Sequence, residues 1–295
     1  MTSLVLYCKS FATDLRRVVR LARSVQSFNA AGLDFYVSVP GTEVPLFQEH
    51  LSSFGVEVLS DDEIIRASPR IDVRQVQGMP GHLAQQVIKS EFWRLGISDA
   101  YLCLDSDSIF IRPFDSRDYM SADGTPYFVM SEAQGFLEQS LTQGKRQVVE
   151  NFHREAGLLQ GLFNRPGKAF SYGPMPIVWH TDVWRSLDRQ FLTPKGMNFV
   201  DAIQQAPLES RWYGEALLKY KAIDLMPSEP FFKVYHYAWQ LDEDRRMGMD
   251  IAQLATLYSG VIYQSSWERE MDWPHEGGGL ASRLGRRIRR ALRRI

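Results

Sequence analysis

The sequence predicts an α/β fold, a mixed and mainly parallel sheet flanked by helices. Three observations predict it. Short apolar runs alternate with stretches of helical spacing through the first 115 residues, the connections are short, and one strongly apolar run ends abruptly in two acids. Residues 4–8 (Leu-Val-Leu-Tyr-Cys) form the first strand. Leu15, Val18, Val19, Leu21, Ala22 and Val25 then recur at helical spacing, with Thr13 or Asp14 placed to cap the helix. Residues 33–39 give a second strand closed by Pro40-Gly41, residues 44–54 a second helix, and residues 56–59 a third strand before Ser60-Asp61-Asp62. Residues 82–95 read as a helix stopped by Gly96, and Ala100–Leu104 as a buried strand running straight into Asp105-Ser106-Asp107. Strands joined by helices in this rhythm lie parallel and are covered on both faces, and ligands gather at their carboxyl ends. The two acids fall at that place.

Beyond residue 115 the rhythm loosens, and Gly, Pro and aromatic residues are dispersed through 120–180. Strands are expected at 127–130, 176–179, 222–226 and 232–237, and helices at 148–163, 182–187 and 209–220. The chain of 295 residues is 44% hydrophobic and 12% aromatic, so it can bury a substantial core. Its 34 basic and 35 acidic residues give a formal charge of -1, no reason to expect a nucleic-acid partner. Cys8 and Cys103, the two cysteines, sit in apolar runs and read as buried free thiols, which fits a reducing compartment. The first residues lack the basic flank and long apolar stretch of a signal peptide. No run approaches the roughly 18 apolar residues of a membrane span, so the expected location is cytoplasmic.

Two carboxylates one residue apart at a strand end can converge on a hard cation such as Mg2+ or Mn2+. Asp-x-Asp alone is a weak signal, because most such pairs are solvated loop acids. The context is more specific: Tyr101-Leu102-Cys103-Leu104 precedes the pair, and Ser108-Ile109-Phe110-Ile111-Arg112-Pro113-Phe114 follows it. This stretch resembles the metal-binding signature of GT-A glycosyltransferases, Rossmann-like nucleotide-diphospho-sugar transferases. The opening Leu-Val-Leu-Tyr-Cys-Lys-Ser-Phe and the helix carrying Lys89 are similar to a poorly characterised bacterial group in that superfamily. The resemblance covers roughly the first 115 residues.

The resemblance implies a catalytic domain over 1–276, with a nucleotide-binding half (1–115) and an acceptor or sugar half (116–276). It implies that Asp105 contacts ribose or metal-bound water, that Asp107 is a direct metal ligand, and that Cys8, Lys9 and Ser10 lie where the nucleoside binds, with Ser106 beside them. Lys89 reads either as a basic residue near the diphosphate or sugar or as a surface helix lysine. The implied cofactors are Mn2+ or Mg2+ and a nucleotide-diphospho-sugar, with a UDP-sugar favoured. A late-strand His would complete the metal shell; His236 is the candidate, and His180 the alternative. Transfer also needs a carboxylate to take the acceptor proton. Glu209 and Glu215 flank the aromatic turn Trp212-Tyr213 and remain alternatives, while Asp182 reads as a catalyst or, better, a helix cap.

After Gly277-Gly278-Gly279, which reads as a linker, residues 280–295 hold seven arginines and no acid. Leu280, Leu284, Ile288, Ala291, Leu292 and Ile295 recur at helical spacing there, so the segment reads as a basic amphipathic helix for an anionic membrane surface; a nucleic-acid tail or a solvated end are the alternatives. Peripheral attachment to the inner face of the cytoplasmic membrane would bring the enzyme to a saccharide or lipid-linked saccharide acceptor in bacterial surface polysaccharide or lipopolysaccharide assembly. Two other readings are kept. An aspartate-nucleophile Mg2+ phosphohydrolase also places Asp-x-Asp after an apolar strand, but its motif opens the domain and is followed by a Gly-Asp-x-x-x-Asp segment that this chain lacks. A non-catalytic nucleotide-sugar-binding membrane scaffold would bind without turnover.

Overall fold

The computed structural model describes residues 3–266 and 271. The glycine linker and the helix expected at 280–295 lie outside the described residues. The first half runs β1 (Leu4–Lys9), α1 (Leu15–Phe28), β2 (Phe35–Val39), α2 (Val44–Leu51), β3 (Val56–Ser60), α3 (Asp61–Arg66), α4 (Val73–Gln77), α5 (Gly81–Glu91), β4 (Ala100–Leu104) and β5 (Ser108–Phe110). The second runs β6 (Tyr127–Val129), α6 (Gln134–Thr142), α7 (Arg146–Phe163), β7 (Ile177–His180), α8 (Thr181–Leu187), α9 (Phe199–Gln205), α10 (Glu209–Tyr220), β8 (Met226–Ser228), β9 (Phe232–Tyr235), α11 (Ala238–Arg246), α12 (Ile251–Leu254) and β10 (Gly260–Tyr263).

The central sheet has the order β3-β2-β1-β4-β7. Its first four strands are parallel, and β7 from the second half closes it antiparallel, pairing His180 with Ala100 and Ile177 with Cys103. The expected mixed, mainly parallel sheet is therefore present. Alternation along the strands splits the core in two: Val5, Tyr7, Tyr101 and Cys103 join one buried cluster, and Leu4, Leu6, Cys8, Leu102 and Leu104 the other. Both faces are covered, which is why these strands read as continuous apolar runs.

The apolar segment after the acids departs from a simple continuation. Its β5 leaves the central sheet and pairs antiparallel with β10, which runs parallel to β9, in a second sheet ordered β5-β10-β9. That sheet returns the chain near residue 264 to the acids. The helix expected at 82–95 ends at Glu91 and tightens into a 3-10 turn, Phe92–Leu95, before Gly96 takes a left-handed conformation. The 222–226 strand is displaced to β8, beside β6. Among the described residues, no helix is long and apolar enough to cross a membrane.

Candidate functional site

The carboxyl ends of β1 and β4 open on a cavity of about 440 Å³, lined by Lys9, Asp14, Asp61, Asp105, Ser106, Asp107 and the segment 264–266. A second cavity of about 780 Å³ adjoins it and shares Asp105 and Gln264, with α6, the 171–175 loop and the start of α10 forming its walls. Asp105 thus stands at the junction of two compartments, with Asp107 in the lining of the first, and each compartment is large enough for part of a small organic substrate.

The two aspartates differ in setting. Asp107 is 3% exposed. Its Oδ2 accepts the Ser265 N–H at 2.7 Å and its backbone carbonyl accepts the Tyr263 N–H, whereas its Oδ1 is buried with no hydrogen-bond partner. Burial, reinforced by the charge of Asp105, pushes its pKa up to about 6. Asp105 is more open and accepts a hydrogen bond from Lys89 Nζ at 2.7 Å. Burial alone would strip the Lys89 charge, yet Asp105, Cys103 and Glu209 together hold its pKa well above the ordinary lysine value. Lys89 is therefore a buried, charged strut behind the acids, not a surface helix lysine.

Other expected residues separate into two groups. Lys9 lines the first cavity and pairs with Asp61 Oδ2 at 2.9 Å, and its ammonium also donates to the Ser10 carbonyl. Glu209, at the start of α10, lines the second cavity 3.7 Å from Lys89 Nζ, and burial raises its pKa against the pull of that lysine. Cys8 points into the core instead of the cavity, and burial pushes its thiol pKa far up. Ser10 is buried, donates its N–H to the Ser38 carbonyl at 2.9 Å and lies outside the cavity lining.

The structure corrects Glu215 and Asp182 as catalysts. Glu215 is 2% exposed and lines neither cavity; the Arg165 guanidinium grips both its oxygens, and Tyr172 O–H donates to Oε1 at 2.7 Å. It braces Tyr172, which lies in the wall of the second cavity. Asp182 lies on α8 beside Arg185, and because β7 is antiparallel, the end of that strand meets the start of β4, opposite the acids. Nor does Asp182 cap the helix: His180 does, its Nδ1 accepting the Asp182 N–H.

The residues present fit a divalent ion at the two aspartates. The unpartnered Asp107 Oδ1 and the neighbouring Asp105 offer hard oxygen donors in the lining of the first cavity. Among the described residues, however, no three His, Cys, Asp or Glu side chains gather as a metal set. His236 lines the second cavity with Asp105, and burial together with Lys145 lowers its pKa. Mg2+ and Mn2+ take water and substrate oxygens in the positions that protein ligands leave open. Sequence reasoning missed Asp61, Gln264 and Ser265. The polar run Gln264-Ser265-Ser266 directly after an apolar strand was the available signal.

No curated protein matches the chain. In structure it is similar to mouse xyloside xylosyltransferase 1 in its apo form, at 8% identity over 90% of this chain and 99% of that one, with a TM-score of 0.44. It is also similar to glucosyl-3-phosphoglycerate synthase from Mycobacterium tuberculosis, crystallised with Mn2+, UDP and phosphoglyceric acid, at 14% identity over 37% of this chain and 34% of that one, TM-score 0.27. A further mycobacterial protein gives 15% identity over 38% and 33%, TM-score 0.28. Likenesses this distant say nothing of what this chain binds. Over residues 2–243 the sequence matches the family of unknown function DUF6492, and the chain belongs to that family.

Proposed function

We propose that this protein is a divalent-metal-dependent glycosyltransferase of the GT-A kind, which binds a nucleotide-diphosphate sugar in the first cavity and passes the sugar to an acceptor hydroxyl in the second. The observation that carries this reading is Asp107, a buried carboxylate with an unpartnered oxygen in the first cavity, next to Asp105, which lines both cavities. Water as the sole second substrate would need no compartment of about 780 Å³ opening on Asp105, which favours transfer over phosphate-ester hydrolysis.

Asp105 and Asp107 would hold the ion, which when bound neutralises a diphosphate and stabilises it as a leaving group. Lys89 holds Asp105 in place through its hydrogen bond, and the Ser265 N–H fixes the direction of Asp107. Lys9 and Asp61 line the same cavity, where they present a donor and an acceptor to the nucleoside end. Glu209 lines the acceptor cavity with its pKa raised by burial, so its carboxylate suits removal of the acceptor proton.

Incubation of the full chain with UDP-, GDP- and CMP-sugars and Mn2+ tests the reading through release of free sugar. UDP-sugar is expected to be hydrolysed slowly, with the reaction stopped by EDTA and restored by excess Mn2+. Failure of all three donor classes, or hydrolysis indifferent to EDTA, would contradict it.

A further inference from the structure

We infer that the acceptor is an electrically neutral sugar that docks an apolar face on Phe136, and that the second cavity rejects sugars bearing carboxylate or phosphate groups. This deepens the transferase reading and rests on it for the word acceptor. Among the described residues lining that cavity, the acidic and basic side chains other than His236 are Asp105, Glu132, Glu209 and Glu229, all carboxylates. Of the nearby cations, Lys89 is engaged with Asp105 and Glu209, Lys168 with Glu132 at 2.5 Å, and Lys145, outside the lining, donates to the Tyr237 hydroxyl at 2.8 Å. His236 adds no compensating charge near neutral pH, because burial and Lys145 lower its pKa. An anionic group entering here would meet like charge with no free counter-charge among those side chains, a juxtaposition that discriminates strongly between ligands.

The same walls are not hydrophilic throughout. Phe136 is 39% exposed and Leu208 36%, and both face the cavity with Pro174 and Met175. A purely apolar ligand would leave the carboxylates unsatisfied, and a purely polar one would leave the aromatic face wet. A pyranose meets both demands. Its hydroxyls donate to carboxylate oxygens, and its C–H face covers an aromatic ring.

Ligand-observed NMR on the full chain, without donor or metal, tests this apart from turnover. The probes are methyl glycosides of glucose, galactose and mannose, the matching methyl uronates, and the hexose 6-phosphates. At least one neutral glycoside is expected to bind about tenfold or more tighter than its uronate and phosphate counterparts. Phe136→Ala should abolish that binding, and Glu229→Lys, at an exposed loop position, should narrow the discrimination against the uronate. Uronate or phosphate binding equal to or tighter than that of the neutral sugar would overturn the inference, as would the absence of binding by every neutral glycoside. Loss of donor hydrolysis with neutral-sugar binding intact would instead count against the transferase reading alone.

Discussion

Asp107→Asn is expected to melt at a higher temperature than the parent chain when no divalent ion is present, while losing donor turnover about a thousandfold or more, the equivalent of roughly 4 kcal/mol. The two effects share a cause. Asp107 is held with its pKa near 6 by burial and by Asp105, above the ordinary aspartate value of 3.8. A raised carboxylate pKa means that the folded chain binds the proton more tightly than the unfolded chain does. The penalty is absent below about pH 4, grows through the interval up to about 6, and is complete above it. Asparagine removes the charge and keeps an oxygen to accept the Ser265 N–H. Its advantage should therefore be about 1–3 kcal/mol at pH 7.5 and vanish toward pH 4. Added Mn2+ should reverse the order at pH 7.5, because ligand binding stabilises only the parent. Thermal melts of both proteins at both pH values, with and without Mn2+, give four differences; a less stable metal-free Asp107→Asn at pH 7.5 would contradict the account.

Gly260→Ala is expected to prevent the second sheet from forming. Gly260 opens β10 opposite Phe110 on β5 and Phe232 on β9. A Cβ there would stand 2.2 Å from the Phe232 ring and 2.4 Å from the Ile109 carbonyl oxygen. A side chain can rotate away; the backbone carbonyl of a paired strand cannot. The cost should exceed about 4 kcal/mol, beyond ordinary overpacking. Gly55, at φ +67° with nothing within 4 Å of the added methyl, supplies a comparison expected near 1 kcal/mol for Ala. Urea denaturation of both variants distinguishes them, and near-parental stability in Gly260→Ala would contradict the packing described. Because β10 leads into Ser265, even a folded remnant should lose the hydrogen bond that orients Asp107.

The first half was legible because its strands are buried on both faces and its helices are amphipathic, so periodicity and apolar runs carry the same message. Asp105 and Asp107 were legible because the strand before them ends where ligands of such sheets collect. Lys89 was visible as a helix residue, but its burial depends on contacts that spacing does not encode. The Ser265 partner of Asp107 lies 158 residues away and is delivered by a second sheet that no local pattern announces. Glu209 and Glu215 look alike in sequence, six residues apart on one helix, yet one lines a cavity and the other is gripped by Arg165 and Tyr172. Asp182 was misplaced because strand direction is invisible in residues 177–180, and the antiparallel turn of β7 sends it to the opposite end of the sheet.

The central claim is that Asp105 and Asp107 bind a divalent ion through which a nucleoside diphosphate is held. Titration of Mn2+ into the parent chain and into Asp107→Asn, with and without UDP, followed by electron paramagnetic resonance, tests it most directly. The account predicts that Mn2+ and UDP each tighten the other's binding in the parent by the same factor, and that Asp107→Asn loses both. UDP binding unchanged by EDTA, or Mn2+ affinity in Asp107→Asn equal to that of the parent, would contradict it.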